Sequence, residues 1–395
     1  MAAHAILSPS NAHRWLMCTP SALLERQFPD EASIYADLGT FAHKWGETQL
    51  RHFLAPDTAA EKKAFQKEIE KLRKETDKNG EPYWSRSLED YVEEYVSTVT
   101  GKFLEARERD SAAVLLLEQK LEFGEWVPGG FGRGDAVIVA DGLMEIVDLK
   151  YGQNVRVQAQ GNPQLRLYAL GAYQELSCIY DISRVAVTIV QPRNGGTSSE
   201  ELSVKELLDW GEWVKPIAQM AIKGKGEPRP GEHCLFCRAK NRCRALAEYE
   251  MEVAKAQFED LRLLSDEDIS SILGRADSLI SWAKGVKDYA LKEALENGKK
   301  WPGWKIVQGR SNRAISDESR AAELLSSAGY AEKDFYKPRE IQGFTVLEKL
   351  LGKKKLSKLL SEVIIKPPGK PKLAPESDPR EEWNTAKEDF EKLED

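Results

Sequence analysis

Two acidic residues and a lysine stand out first. Gly132-Arg133-Gly134-Asp135 is followed by Glu145-Ile146-Val147-Asp148-Leu149-Lys150. Apolar runs predict strands over 131–140 and 143–150, joined at Asp141-Gly142, where both residues tolerate the positive φ of a hairpin turn. Adjacent antiparallel strands lie about 5 Å apart, so Asp135 on one and Asp148 on the other can meet. Asp148 and Lys150 are two apart and leave the same face of their strand. Paired carboxylates suit Mg²⁺ or Mn²⁺, hard ions that keep water and phosphate as their other ligands. Such an ion polarises a phosphate oxygen and lowers the pKa of an attacking water, and an ammonium stabilises charge that develops on the phosphate. Phosphodiester hydrolysis is the chemistry this set would serve. An isolated Asp-x-Lys is more often a surface ion pair, but this one lies on an apolar strand behind a Gly-x-Gly-Asp hairpin. Glu145 should face the other side and reads as structural. Glu118, on a strand over 115–123, is either a further ligand or a solvated carboxylate.

Three further groups carry possible chemistry. Gln164 and Tyr168 sit at i and i+4 of a helix opened by Asn162-Pro163, presenting an amide and a phenol together. The alternative is an amphipathic helix with Tyr168 in the core. His43, in Gly39-Thr40-Phe41-Ala42-His43, lies near a helix start and is either a structural histidine or a metal ligand. Cys234-x-x-Cys237 and Cys243 bring three thiols into ten residues, with Cys18 a possible fourth. Four cysteines suit zinc or an iron–sulfur cluster, and spacing does not choose between them. Cys178 reads as a buried free thiol.

The elements that must position these residues form a mixed α/β pattern. Helices are expected over 6–18 and 32–53, a helical insertion over 44–113 whose highly charged part, 56–110, reads as solvated and mostly helical, three strands, the helix from 162, a strand over 184–191 and a helix over 201–222. A helical region over 251–299 and a smaller α+β region over 300–395 follow, the latter with a Pro/Lys-rich segment at 366–379 and an acidic end. The chain has 395 residues, 41% hydrophobic and 31% charged, with a net charge of −7. That excludes a generally basic binder and leaves room for a local basic groove. No apolar run approaches a membrane span and no signal peptide is expected, so a cytoplasmic location is anticipated.

Taken together, the motifs resemble the RecB-type branch of the PD-(D/E)XK nucleases. Gly39-Thr40-x-x-His43, Gly134-Asp135, Asp148-x-Lys150 and Gln164-x-x-x-Tyr168 match four motifs of that branch in order, over roughly residues 5–250. The resemblance implies a restriction-endonuclease-like α/β core and a DNA nuclease, expected to work as an exonuclease. It implies that His43, Asp135 and Asp148 bind the metal with the Leu149 carbonyl, that Lys150 is catalytic, and that Gln164 and Tyr168 act near the substrate. Gly134 stands where the superfamily's name has proline. A subset of these nucleases, AddB-like and CRISPR-adaptation-like, carries one N-terminal and three C-terminal cysteines around a four-iron, four-sulfur cluster. Cys18, Cys234, Cys237 and Cys243 look the same, which implies a structural cluster that staples the first helix to the end of the domain.

Residues 300–380 resemble the C-terminal part of an uncharacterised phage family, which implies a role in phage DNA replication or recombination in a bacterial host's cytoplasm. Expected partners are DNA, as single-stranded or double-stranded ends, and a single-strand-binding or annealing protein. Arg238, Lys240, Arg242 and Arg244 interleave with the cysteines, and Arg156, Lys223, Lys225 and Arg229 could extend a basic groove. Arg310, Arg313 and Lys353–Lys355 are either DNA contacts or parts of a packing module. The competing class is a non-catalytic DNA-end-binding or assembly factor that kept the fold. A zinc-stabilised binding module is a third reading.

Overall fold

The computed structural model describes residues 5–29, 34–153, 155–194, 196–255, 266–307, 318–327, 341, 343–361 and 363. The strands are β1 (Val114–Glu122), β2 (Phe131–Ala140), β3 (Gly142–Leu149), β4 (Ile182–Gln191) and β5 (Gly196–Ser203). The helices are α1 (Ala12–Met17), α2 (Ser21–Leu24), α3 (Ile34–Leu54), α4 (Ala59–Leu72), α5 (Arg86–Arg109), α6 (Pro163–Leu176), α7 (Val204–Ile222), α8 (Arg244–Lys255), α9 (Asp266–Glu296), α10 (Glu318–Ser327), α11 (Phe344–Leu351) and α12 (Lys353–Leu359). The strands lie side by side in chain order. All pairs are antiparallel except β3 with β4, which are parallel because α6 carries the chain back between them. The protein is therefore mixed α/β.

Local chemistry fixes where the helices begin. The Asn162 side chain accepts hydrogen bonds from the Gln164 and Leu165 amides, and Pro163 supplies a helical φ at a position that needs no donor. Ser85 caps α5 by accepting from the Leu88 amide, and Ser203 with Glu206 forms a reciprocal capping box on α7.

Two apolar layers enclose the sheet. Trp15, Leu165, Tyr168, Leu207 and Val214 pack with Val137, Val139, Met144, Ile146, Val187 and Ile189 on one face. Phe41, Trp45, Val92, Tyr95 and Val99 pack with Ala136, Ile138, Val147 and Leu149 on the other. This alternation is the period of two expected for strands buried on both sides.

The alternation changes phase at one place. In β1, Leu115 and Leu117 face α3 and α5, whereas Leu121 faces α6. In β2, Ala136 and Ile138 face α3 and α5. A Cβ on Gly132 would instead lie 2.6 Å from the Tyr168 ring on α6. A regular strand would put residues 132 and 136 on one face. The change falls at the register position where Glu118 stands opposite Asp135, between the pairs Leu117–Ala136 and Gln119–Gly134. Glu118 has φ +51°, a left-handed conformation unusual for a residue with a side chain.

The structure departs from the sequence reading at several elements. β5 was not expected, because Gly-Thr-Ser-Ser-Glu-Glu-Leu-Ser is a polar edge strand with Leu202 its only buried residue. Residues 56–110 are not uniformly solvated: α5 buries Leu88, Val92, Tyr95, Val99 and Phe103 against the sheet. Cys178 is exposed at the end of α6 rather than buried. From residue 300 onward the described elements are helices, and Arg310, Arg313, the Pro/Lys-rich segment and the acidic end lie outside the described residues. Among the described residues no helix is long and apolar enough to cross a membrane.

Gly132 tests this packing. Its added methyl would meet Tyr168 at 2.6 Å and Pro9 at 2.7 Å. Gly132→Ala is expected to lower stability by about 1–3 kcal/mol, as overpacking does. A denaturant midpoint equal to the wild type's would contradict the packing.

Candidate active site

Asp135 is the meeting point of three elements. Its Oδ2 accepts the Leu149 amide of β3 at 2.8 Å and lies 3.2 Å from His43 Nδ1 of α3. Glu118 comes from β1 across the register. Ligand atoms of His43, Glu118 and Asp135 all lie within 4.8 Å of one another, the one such group of three or more among the described residues. One imidazole nitrogen with two carboxylates is an oxygen-rich donor set, suited to Mn²⁺ or Mg²⁺.

Asp148 closes the other side. It is 2% exposed, and its Oδ2 lies 2.9 Å from Lys150 Nζ. That contact is an ion pair without hydrogen-bond alignment, so Oδ2 is buried with an open lone pair. Lys150 Nζ also donates to Gln164 Oε1 at 3.0 Å. Gln164 Nε2 reaches Asp148 Oδ1 at 3.4 Å and Tyr168 Oη at 3.1 Å. Tyr168 is core, and its hydroxyl helps fix the Gln164 amide that aims the lysine. Leu149 contributes its amide to Asp135.

The charges are strongly coupled. Burial opposes ionisation of Asp135, but His43, the Leu149 amide and Lys150 outweigh it and lower its pKa. Burial raises the pKa of Asp148, and Asp135 adds to this against the pull of Lys150. Burial works against charge on Lys150, yet Asp148 and Asp135 raise its pKa, so it stays an ammonium. Burial also opposes charge on His43, and Asp135 and Asp148 overcome this and push it up to about 9. Glu118 is raised to about 7 by burial and by repulsion from Asp135 and Glu47.

Glu145 is turned away, paired with Lys102 of α5 at 2.5 Å and accepting from Thr188 at 2.8 Å. Glu118, which the sequence left open between ligand and solvated residue, lies inside the carboxylate group. Its positive φ, invisible in the sequence, is the signal. Tyr95 was missed altogether. Fully buried on α5, its hydroxyl is held neutral by burial and then by Asp135, Asp148 and Glu118.

The four cysteines line one pocket with Arg14, His233 and Lys240. Cys18 ends α1, and the others come from the turns between α7 and α8. Buried Glu25 ties the two ends together, pairing with Arg14 at 3.1 Å and accepting the Arg238 amide at 2.9 Å. Thr19 also donates to the Lys225 carbonyl at 2.6 Å. All four thiols are free. Burial, then Glu25, pushes Cys237 up to about 12. Among the described residues no three of the sulfurs lie within 4.8 Å of one another. Four thiolates about 2.3 Å from one zinc ion would sit roughly 3.8 Å apart.

Of the basic residues read from the sequence, Arg229 and Lys240 line the cysteine pocket. Lys240 Nζ donates to the Leu235 carbonyl, and Arg242 stacks on Tyr289 of α9. Lys354 of α12 pairs with Glu93 at 2.6 Å.

The molecule is thus a mixed α/β protein with a buried carboxylate–lysine site at one end of its sheet. The chain belongs to a family described as "Protein of unknown function (DUF2800)", which it matches over residues 4–381. A solved structure described as "Crystal structure of SSO0001" is similar at 14% identity and a TM-score of 0.27, covering 60% of this chain and 85% of that one.

The His43–Asp135 pair gives a pH test in metal-free protein. A folded-state pKa raised to about 9 means the pair's contribution to stability is complete below the unfolded histidine value and lost as pH rises through the folded one. His43→Asn should therefore melt below the wild type at about pH 6, with the gap closing by about pH 10. A gap that widens with pH would contradict the pairing.

Proposed function

We propose that this protein is a metal-dependent DNA nuclease with a PD-(D/E)XK core of the RecB type, acting in phage DNA replication or recombination. The observation that carries the reading is the convergence of His43, Glu118 and Asp135 within 4.8 Å, beside Asp148 and an ammonium held by Gln164. Mg²⁺ or Mn²⁺, when bound, supplies polarisation of the phosphate and a lowered pKa for the attacking water.

Asp135 and Asp148 provide the carboxylate oxygens for that ion, His43 a nitrogen, Glu118 a further oxygen and Leu149 its carbonyl. His43 must lose its proton to bind, so affinity rises with pH. Lys150 faces charge developing on the phosphate. Gln164, anchored by Tyr168, keeps the ammonium directed. These are preorganising roles, for which small misplacements are costly. An intact set of His43, Asp135, Asp148 and Lys150 argues for catalysis over a non-catalytic DNA-binding role.

For the cysteine pocket, the proposed cofactor is a four-iron, four-sulfur cluster held by Cys18, Cys234, Cys237 and Cys243. Four free thiols around one pocket fit it, and Lys240 lines the same pocket. It would clamp α1 to the segment before α8.

Two experiments test these readings. Purified protein should cleave DNA with Mn²⁺ and not with chelator, on end-labelled linear DNA but not on covalently closed circles. Asp148→Ala and Lys150→Ala should each lose about 10²-fold or more in rate while still binding DNA. Wild-type rates in both would refute the site. Anaerobically purified protein should be brown, absorb near about 400 nm and contain iron, with Cys237→Ser losing the colour. One zinc per chain without iron would replace the cluster with zinc.

A further inference from the structure

Outside the carboxylate group, a cation–aromatic cluster joins three distant parts of the chain. Gln191, 2% exposed at the end of β4, accepts the Val157 amide at 2.9 Å and donates to the carbonyls of Gly152 and Val155 at 3.0 and 2.8 Å. It thereby fixes the loop after Lys150 to the turn after β4. Arg193 lies in that turn. Its guanidinium stands 4.8 Å from the centre of the Tyr151 ring and 5.9 Å from that of Tyr91, and it donates to Gln153 Oε1 at 2.6 Å. Tyr151 directly follows Lys150. Tyr91 precedes Tyr95 by one turn of α5.

The C-terminal helices reach the same place. Tyr91 Oη donates to Glu348 Oε1 of α11 at 3.2 Å. Lys353 Nζ, at the start of α12, stands 5.2 Å from the Tyr91 ring centre. The Lys354 amide donates to Asp90 at 3.2 Å and holds α12 on α5. Among the described residues neither Arg193 nor Lys353 has a carboxylate within 4.0 Å.

This arrangement has the chemistry of a phosphate contact. A guanidinium held against two rings has already given up rotamer freedom, and its fork matches two phosphate oxygens. Half-exposed Arg193 reaches the residue next to Lys150 through the Tyr151 ring, while Glu348 beside it is held by the Tyr91 hydroxyl. Aromatic rings interleaved with cations are the common surface for a nucleic-acid strand. We propose that Arg193, on the Tyr91–Tyr151 platform and with Lys353 beside it, binds a backbone phosphate of the DNA strand adjacent to the phosphate addressed by Lys150. The C-terminal helices then complete the substrate path. This rests on the nuclease reading above.

The test is binding of a fluorescein-labelled single-stranded oligodeoxynucleotide to the full chain in chelator, across a series of salt concentrations. Arg193→Gln should raise Kd about tenfold and reduce the slope of log affinity against log salt by about 0.7–1, as losing one phosphate contact does. Arg193→Lys keeps the charge without the fork and should retain the slope with weaker binding. Lys353→Gln, at the edge of the platform, should lower the slope without lowering the melting temperature. Mn²⁺ affinity, measured by calorimetry, should stay at the wild-type value in all three. A wild-type Kd and slope in Arg193→Gln, with wild-type protein binding and cleaving DNA, would overturn this inference alone. Should Arg193→Gln not fold, unchanged slopes in both Arg193→Lys and Lys353→Gln with unchanged Kd would overturn it equally. Wild-type protein that neither binds nor cleaves DNA would overturn the nuclease reading together with it.

Discussion

The carboxylate of Asp135 holds the site together. It receives an amide from β3, faces an imidazole on α3, and stands across the register from Glu118 on β1. A buried carboxylate without such partners would neutralise. Here the partners keep it charged, and in doing so they fix how α3 sits on the sheet. The phase change in β1 and β2 serves the same end, since it occurs at the register position of Glu118 and Asp135. An unfavourable backbone conformation at Glu118 is retained where the surrounding structure over-determines it.

The second half of the site depends on α6. Asp148 is almost fully buried, and burial raises its pKa. Lys150 offsets that burial, and Gln164 orients Lys150, so an amide at the second residue of α6 bears on the charge balance of β3. The Asn162–Pro163 start of α6 sets the rotation of that helix, which places Gln164 and Tyr168 on one face toward the strands. Capping at residue 162 and the placement of the ammonium at residue 150 are in this sense one structural problem.

Some of this was legible in the sequence. Period-two spacing placed Asp148 with Lys150 and turned Glu145 away, and helical spacing paired Gln164 with Tyr168. The hairpin at Asp141-Gly142 followed from its turn residues. Other features left no readable mark. A positive φ at a glutamate has no sequence signature, so Glu118 stayed ambiguous between ligand and surface residue. β5 is too polar to show apolar alternation, and α5 hides a buried stripe among many charges. The contacts among Tyr91, Tyr151, Arg193 and Lys353 span more than 250 residues, and no local pattern announces them.

The central claim is that the side chains around Asp135 form one divalent-cation site. Titration calorimetry of Mn²⁺ into the chelator-stripped full chain addresses it directly. The account predicts saturable binding in the wild type, weakened at least about tenfold by Asp135→Asn and by Glu118→Gln, while Glu145→Gln binds as the wild type does. Equal Mn²⁺ affinity in the wild type, Asp135→Asn and Glu118→Gln would contradict it.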